Sequence, residues 1–193
     1  MSVAHSDLKP IVAAIVAIVM FSIPLQGGLS AQQGPSGDQA ALLAELAGAD
    51  AAAAARIERQ LQALWDQSGS AAMDLLLKRG RDALEADDTA SAIEHLTALT
   101  DHAPGFAEGW HTRASAYFEA GLIGPALADL ERALALNPSN YDAIYGLGAV
   151  FEYLGDTESA WEAYSRARAI HPHHEDVAEA LERLRPQVKG KTL

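Results

Sequence analysis

The chain has 193 residues and a formal net charge of −12, from 26 Asp and Glu against 14 Lys and Arg. That balance lacks the clustered cationic surface that a nucleic-acid backbone demands, so no nucleic-acid partner is expected. With no cysteine, disulfides, thiolate chemistry and a lipid-bearing N-terminal cysteine are excluded as well.

In chain order, Lys9 precedes an apolar run from Ile11 to Ile23, which Pro24 interrupts; Gly27, Gly28, Ser30 and Ala31 follow. This is the order of a secretory signal peptide, and the run falls short of the roughly 20 residues a membrane-spanning helix needs. Residues 1–31 are therefore expected to be a signal peptide cut near Ala31, with a cut after Ser30 as the other choice. Left uncleaved, the segment would be an N-terminal anchor, the one route to membrane contact. Either outcome implies a periplasmic or secreted location in a bacterial cell. Residues 32–37, rich in Gln, Gly, Pro and Ser, read as a flexible spacer. Residues 38–66 read as a leading helical hairpin. Asp38 would cap a first helix carrying Leu42, Leu43 and Leu46, which stops at Gly48, and a second helix presents Ile57, Leu61, Leu64 and Trp65 on one face. Extending the downstream repeat register backwards puts Glu58 at a small-residue site, so the pair reads less well as a degenerate repeat. It is expected to cover the open end of the repeats.

Beyond the break at Ser68-Gly69-Ser70 the chain repeats itself. Pro104, Pro138 and Pro172 stand 34 residues apart, as do Ala92, Ala126 and Ala160, and Leu96, Leu130 and Tyr164; Tyr117 pairs with Phe151 and Ala133 with Ala167. Each copy holds two helical stretches about a turn, at Asp87-Asp88, Gly121 and Gly155-Asp156. A fixed period of this length marks an array of stacked helix pairs. Small residues such as Gly148 and Ala160 suit the close approach of two helices, with Phe151 and Tyr164 filling the space beside them. Val177, Leu181 and Leu184 line a capping helix over 175–185 that Pro186 is expected to end, and 186–193 is a basic tail with Lys189 and Lys191.

The second copy (Trp110, Tyr117, Ala126, Leu130, Ala133, Pro138) and the third (Ile144, Leu147, Gly148, Phe151, Ala160, Tyr164, Ala167, Pro172) resemble the tetratricopeptide repeat. The resemblance covers about 100 residues: a degenerate first repeat over 73–106, a second over 107–140 and a third over 141–174. The first departs from the pattern at Arg79, Ala83 and Leu99, which reads as adaptation to the leading hairpin. The resemblance implies an all-α fold, a right-handed α-solenoid with flanking capping helices, and a concave groove lined by the first helix of each repeat. Groove positions carried over are Asp74, Leu77, Arg81, Leu84 and Glu85; Glu108, His111, Ser115, Phe118 and Glu119; and Asp142, Tyr145, Ala149, Glu152 and Tyr153. Such a groove is acidic, with an aromatic stripe of Phe118, Tyr145 and Tyr153, and suits a peptide or protein segment bearing basic and apolar residues. The Lys and Asn with which some relatives clamp a partner's C-terminal carboxylate are missing. Leu77, His111 and Tyr145 hold the fifth positions, and Arg81, Ser115 and Ala149 the ninth.

His171, His173 and His174 form a weak candidate metal site, weighed against an exposed, solvated turn. None of the nucleophile-elbow, zinc-helix, phosphate-loop or dinucleotide patterns occurs. The expected function is thus a non-catalytic, cofactor-free interaction scaffold or adaptor in the cell envelope. The alternatives are a periplasmic assembly chaperone that holds apolar client segments, and a metal-binding protein centred on the His turn.

Overall fold

The computed structural model describes residues 36–189, with side chains from 38 to 188. The expected signal or anchor segment, most of the spacer and the last four residues lie outside the described residues. Among those described, nine helices and no strand occur, so the fold is all-α. The helices are α1 (Ser36–Gly48), α2 (Ala51–Trp65), α3 (Ala71–Glu85), α4 (Thr89–His102), α5 (Ala107–Glu119), α6 (Ile123–Leu136), α7 (Tyr141–Tyr153), α8 (Thr157–Ile170) and α9 (Glu175–Lys189). None is long and apolar enough to cross a membrane.

Helices α3 to α8 form three antiparallel pairs, α3/α4, α5/α6 and α7/α8, and each pair meets the next helix in the chain. The 34-residue register explains the approach within a pair. A Cβ added at Gly148 would stand 2.5 Å from the Tyr164 ring, and one at Gly80 would stand 2.5 Å from Leu96 Cγ. Each glycine is small because its partner, 16 residues on, is large and buried. Between pairs the same trade recurs. Leu99, which departs from the family pattern, lies where a Cβ on Gly109 would come within 3.0 Å of it. At the matching positions Ala133 and Ala143 share one buried cluster, and Ala167 and Val177 another. Bulk on one side is offset by its lack on the other, as close packing requires.

The turns inside the pairs follow the register too. Asp87, Gly121 and Gly155 all take positive φ, at 57°, 73° and 78°. Asp88 and Asp156 then cap α4 and α8 by accepting from the amides of Ser91 and Ser159. The closing prolines have a second role: Arg132 Nη2 donates to the Pro104 carbonyl at 3.1 Å, and Arg166 Nη2 to that of Pro138 at 2.8 Å. Each arginine ties its repeat to the end of the preceding one.

Three expectations need correction. Ser36 and Gly37, assigned to the spacer, belong to α1, so Asp38 lies in its first turn and is not its cap. Pro186 does not end the last helix, which continues to Lys189. Proline removes one backbone donor, a loss most easily borne in a terminal turn. The larger correction concerns the hairpin. It does not cover the open end of the first repeat; it lies against the third repeat and α9. Leu46, Ala54, Ile57, Leu61 and Trp65 join one buried cluster with Tyr141, Tyr164, Val177 and Leu181. Gln39 Nε2 donates to Asn137 Oδ1, and Trp65 Nε1 donates to Gln39 Oε1. Its ties to α3 are polar: Asp66 with Arg81, and the Ser68 amide donating to Asp74. Arg79 is exposed and Ala83 packs against the core of its own repeat; neither joins the buried cluster of the hairpin.

Candidate peptide groove

The first helices of the pairs, α3, α5 and α7, place the sequence-predicted groove residues, and α2 adds a wall that sequence reasoning missed. A cavity of about 330 Å³ opens between Gln62, Trp65 and Asp66 of the α2 end, Arg81 and Leu84 of α3, Glu108, His111, Thr112 and Ser115 of α5, and Asp142 of α7. The only advance sign of this wall was Trp65 on the apolar face of the second helix, which points to burial but not to where.

The cavity floor is an ionic network. Arg81 binds both oxygens of Asp66, at 2.7 and 2.8 Å, and reaches Glu108 Oε1 at 2.7 Å. Glu108 is buried and also meets His111 Nδ1 at 3.2 Å and Asn140 Nδ2 at 3.3 Å. Burial alone would raise the Glu108 carboxyl, but His111 and Arg81 outweigh it and hold it below the usual carboxylate range. The same pairing lifts His111 above the ordinary imidazole value against the pull of burial. A second network serves α9: Glu152 accepts from Arg183 Nε at 2.8 Å, Arg183 Nη2 at 2.9 Å and the Tyr164 hydroxyl at 2.9 Å. The groove acids Glu108, Asp142 and Glu152 are thus already partnered within the chain.

Of the predicted groove residues, Arg81, Leu84, Glu108, His111, Ser115 and Asp142 come together at this cavity. Phe118 and Tyr153 form a separate pair farther along the groove, edge to face with ring centroids 5.8 Å apart. Tyr153 is 66% exposed, with Leu154 and Leu122 also open to solvent. Ser115, Glu119 and Tyr153 are exposed and Ala149 half-buried. Others turn elsewhere. Leu77 is 2% exposed, packed with Leu96 and Leu99. Asp74 holds the α2–α3 linker, and Tyr145 stacks on His174 at 5.7 Å, away from the expected stripe.

The histidine turn is not a solvated loop. His171 is 2% exposed, edge-on to Tyr141 at 4.8 Å. His174 Nε2 pairs with Asp142 Oδ1 at 3.0 Å, and His173 Nε2 meets the Ala49 carbonyl at 3.0 Å. His171 and His174 both lie edge-on to Tyr141, and among the described residues no group of three or more His, Asp or Glu stands where it could hold a metal. Asp142 raises the His174 value against burial, whereas burial, then the neighbouring His174 charge, lower that of His171.

No protein-family model matches the chain. A TPR repeat-containing protein of Rhizobium etli is 26% identical over 137 residues, covering 71% of this chain and 67% of that one. Superkiller complex protein 3 of Mus musculus is 32% identical over 108 residues, 55% of this chain but only 6% of that much longer protein. Among solved structures, the first TPR of Spaghetti (RPAP3), bound to an HSP90 peptide, aligns with a TM-score of 0.59 at 25% identity, covering 61% of this chain and 94% of that one. With the 34-residue register realised as three helix pairs, these likenesses show a tetratricopeptide-repeat fold.

Proposed function

We propose that this protein is a non-catalytic interaction scaffold of the cell envelope that docks a peptide or protein segment on the concave face of its repeats. The observation that carries the reading is the open stretch of groove from the 330 Å³ cavity to the Phe118–Tyr153 pair. An exposed Tyr153 backed edge to face by the half-buried Phe118, beside a cleft of side-chain size, is the form an anchoring site takes. The bound peptide of the Spaghetti structure supports docking in this fold. That mode does not transfer in detail, because the fifth-position residues are engaged internally: Leu77 is buried, His111 holds Glu108 and Tyr145 stacks on His174. The envelope setting rests on the signal-like pattern of residues 1–31.

The partner segment carries an apolar anchor for Phe118 and Tyr153, with basic residues toward the exposed Glu119 and the net negative cavity rim. A photoreactive residue at the exposed position 119, next to Phe118, should crosslink one partner from envelope extract, and Phe118→Ala with Tyr153→Ala should abolish the crosslink. A partner retained at full yield by the double variant would overturn the reading. The exposed Leu122, Tyr153 and Leu154 favour client-holding chaperone activity as a second reading. That activity would suppress aggregation of unrelated unfolded proteins, which a dedicated scaffold would not.

A further inference from the structure

Helix α2 lies on the repeat array in the manner of a docked helix. It crosses the N-terminal ends of α7 and α9 and finishes beside α3 and α5, with its last turn forming a wall of the groove cavity. It is an amphipathic helix. Ile57, Leu61 and Trp65, spaced i, i+4 and i+8, are buried, while Arg56, Arg59 and Gln60 on other faces are exposed. Asp66, directly after the aromatic anchor, gives Arg81 a two-pronged carboxylate, the strong form of charge-assisted contact. Apolar residues at this spacing are how a helix docks into a groove.

The seat is imperfectly filled. Beneath α2, the Tyr141 hydroxyl and both ring nitrogens of His171 are buried without a hydrogen-bond partner. The nearest charged group on α2, the Glu58 carboxylate, stops 3.7 Å from His171 Nε2. Behind it lies a hollow of about 300 Å³, where α2 contributes Glu58 and the short side chains of Ala51, Ala54 and Ala55, and the facing wall is His171, His173, His174, Glu175 and Asp176. Buried polar groups left unmatched oppose an association, and an occupant that satisfies them gains over one that does not. The link to the array is also short: only 66–70 separates α2 from α3, and Gly69 there takes a φ of 81°, which glycine adopts without strain.

We propose that the α2 seat is a second docking surface of this protein, held in cis by α2, and that its external partner is an amphipathic helix ending on a carboxylate. That helix presents two aliphatic residues and an aromatic at i, i+4 and i+8, and then a carboxylate for Arg81. Charge complementarity calls for a carboxylate at that one position: Arg81 is the fixed cation at the end of the seat, and without Asp66 it keeps only Glu108. The proposal rests on the reading of the array as a docking module, but it uses a different surface from the Phe118–Tyr153 pair.

The test uses a fluorescein-labelled peptide of residues 50–66, its Asp66→Asn form, and the full chain. The wild-type chain, with its seat filled, should bind the native peptide at least 10-fold more weakly than a Trp65→Ala chain. The Asp66→Asn peptide should bind the Trp65→Ala chain at least 10-fold more weakly than the native peptide does. Equal binding by the two chains, or by the two peptides, overturns the proposal. Should Trp65→Ala unfold the array, a protease site placed at 67–70 and cut after folding replaces it. Exchange of the cut hairpin for labelled peptide supports the proposal, and retention of the hairpin on a folded array overturns it. Adding Phe118→Ala and Tyr153→Ala should leave peptide binding unchanged. If those substitutions abolish the envelope crosslink while the peptide fails to bind, the proposed function stands and this inference falls.

Discussion

The first and third repeats share one register but different neighbours. The third is enclosed: α6 precedes it, α9 follows it, and the hairpin lies across its edge, so Tyr141, Ile144 and Tyr164 are all but sealed from solvent. The first touches α5 on one side, and its other face keeps the half-buried Met73 and Leu76 and the exposed Leu75. The family pattern is therefore complete where a repeat is enclosed and eroded where it is not. Departures at Arg79 and Ala83 record the environment of the first repeat rather than a loss of its fold.

Enlarging the glycine at the helix crossing should break this comparison most sharply. Overpacking a core typically costs about 1–3 kcal/mol. Gly148→Ala drives a methyl to 2.5 Å from the Tyr164 ring, which is rigid, 1% exposed and tied by its hydroxyl to Glu152. Gly80→Ala meets Leu96 at the same distance, but in a repeat with one open face that can shift. Urea denaturation should give a loss of about 3 kcal/mol for the third repeat and about 1–2 for the first. Equal losses would mean that enclosure does not set the rigidity of a repeat.

Next in size is Arg81, where the hairpin meets the first two repeats. Breaking a fully buried ion pair costs about 3–5 kcal/mol. Arg81 keeps 36% of its side chain exposed, and His111 and Asn140 would still face Glu108. Arg81→Leu should therefore cost about 2 kcal/mol. Hydrogen exchange should show the loss in α2 and the N-terminal turn of α5, with α8 little changed. Uniform loss across all helices would make Arg81 an ordinary surface residue.

The histidines extend the comparison to pH. His111 and His174 have raised values in the folded chain, so their contribution is complete below about 6.5 and is lost as pH rises through those values. His171 is lowered, so its neutral form favours the fold above about 6.5, and that advantage is lost as pH falls toward its folded value. Thermal midpoints should accordingly peak near pH 6.5 and decline on both sides until carboxylate protonation dominates. His174→Gln should flatten the alkaline decline and His171→Asn the acid one. A decline unaffected by either substitution would remove these rings from the pH response.

How much was legible in the sequence depends on range. The period was visible because each repeat meets its neighbour about 34 residues away, and the same small-against-large pairs recur. The positive-φ turns were visible because Gly121 and Gly155 are local requirements. The hairpin's place was not, because Trp65 meets Tyr141 and Glu58 approaches His171 across the whole array, and nothing periodic marks those partners. For the same reason a histidine turn flanked by proline reads as exposed until a distant helix is laid over it. The groove acids failed in another way: residue type revealed Glu108 and Asp142, but only coordinates reveal that Arg81 and His174 already hold them.

The smallest expected effect tests whether erosion of the first repeat reaches its backbone. Asp87 takes a φ of 57° where the other two repeats use glycine. An L-residue other than glycine is strained there, though Asp tolerates the left-handed region better than most. The side chain that caps α4 belongs to the next residue, Asp88, which bonds both the amide and the hydroxyl of Ser91, so replacing Asp87 leaves the cap intact. Asp87 is exposed, and no contact of its side chain opposes the change. Asp87→Gly relieves the folded backbone but frees the unfolded one, and these effects partly cancel. The balance should be a gain of about 0.5 kcal/mol. Gly121→Asp and Gly155→Asp, run alongside, should each lose about 1 kcal/mol. If all three turns instead accept Asp at no cost, the glycines of the second and third repeats are not required by the turn, and the first repeat is not strained at Asp87.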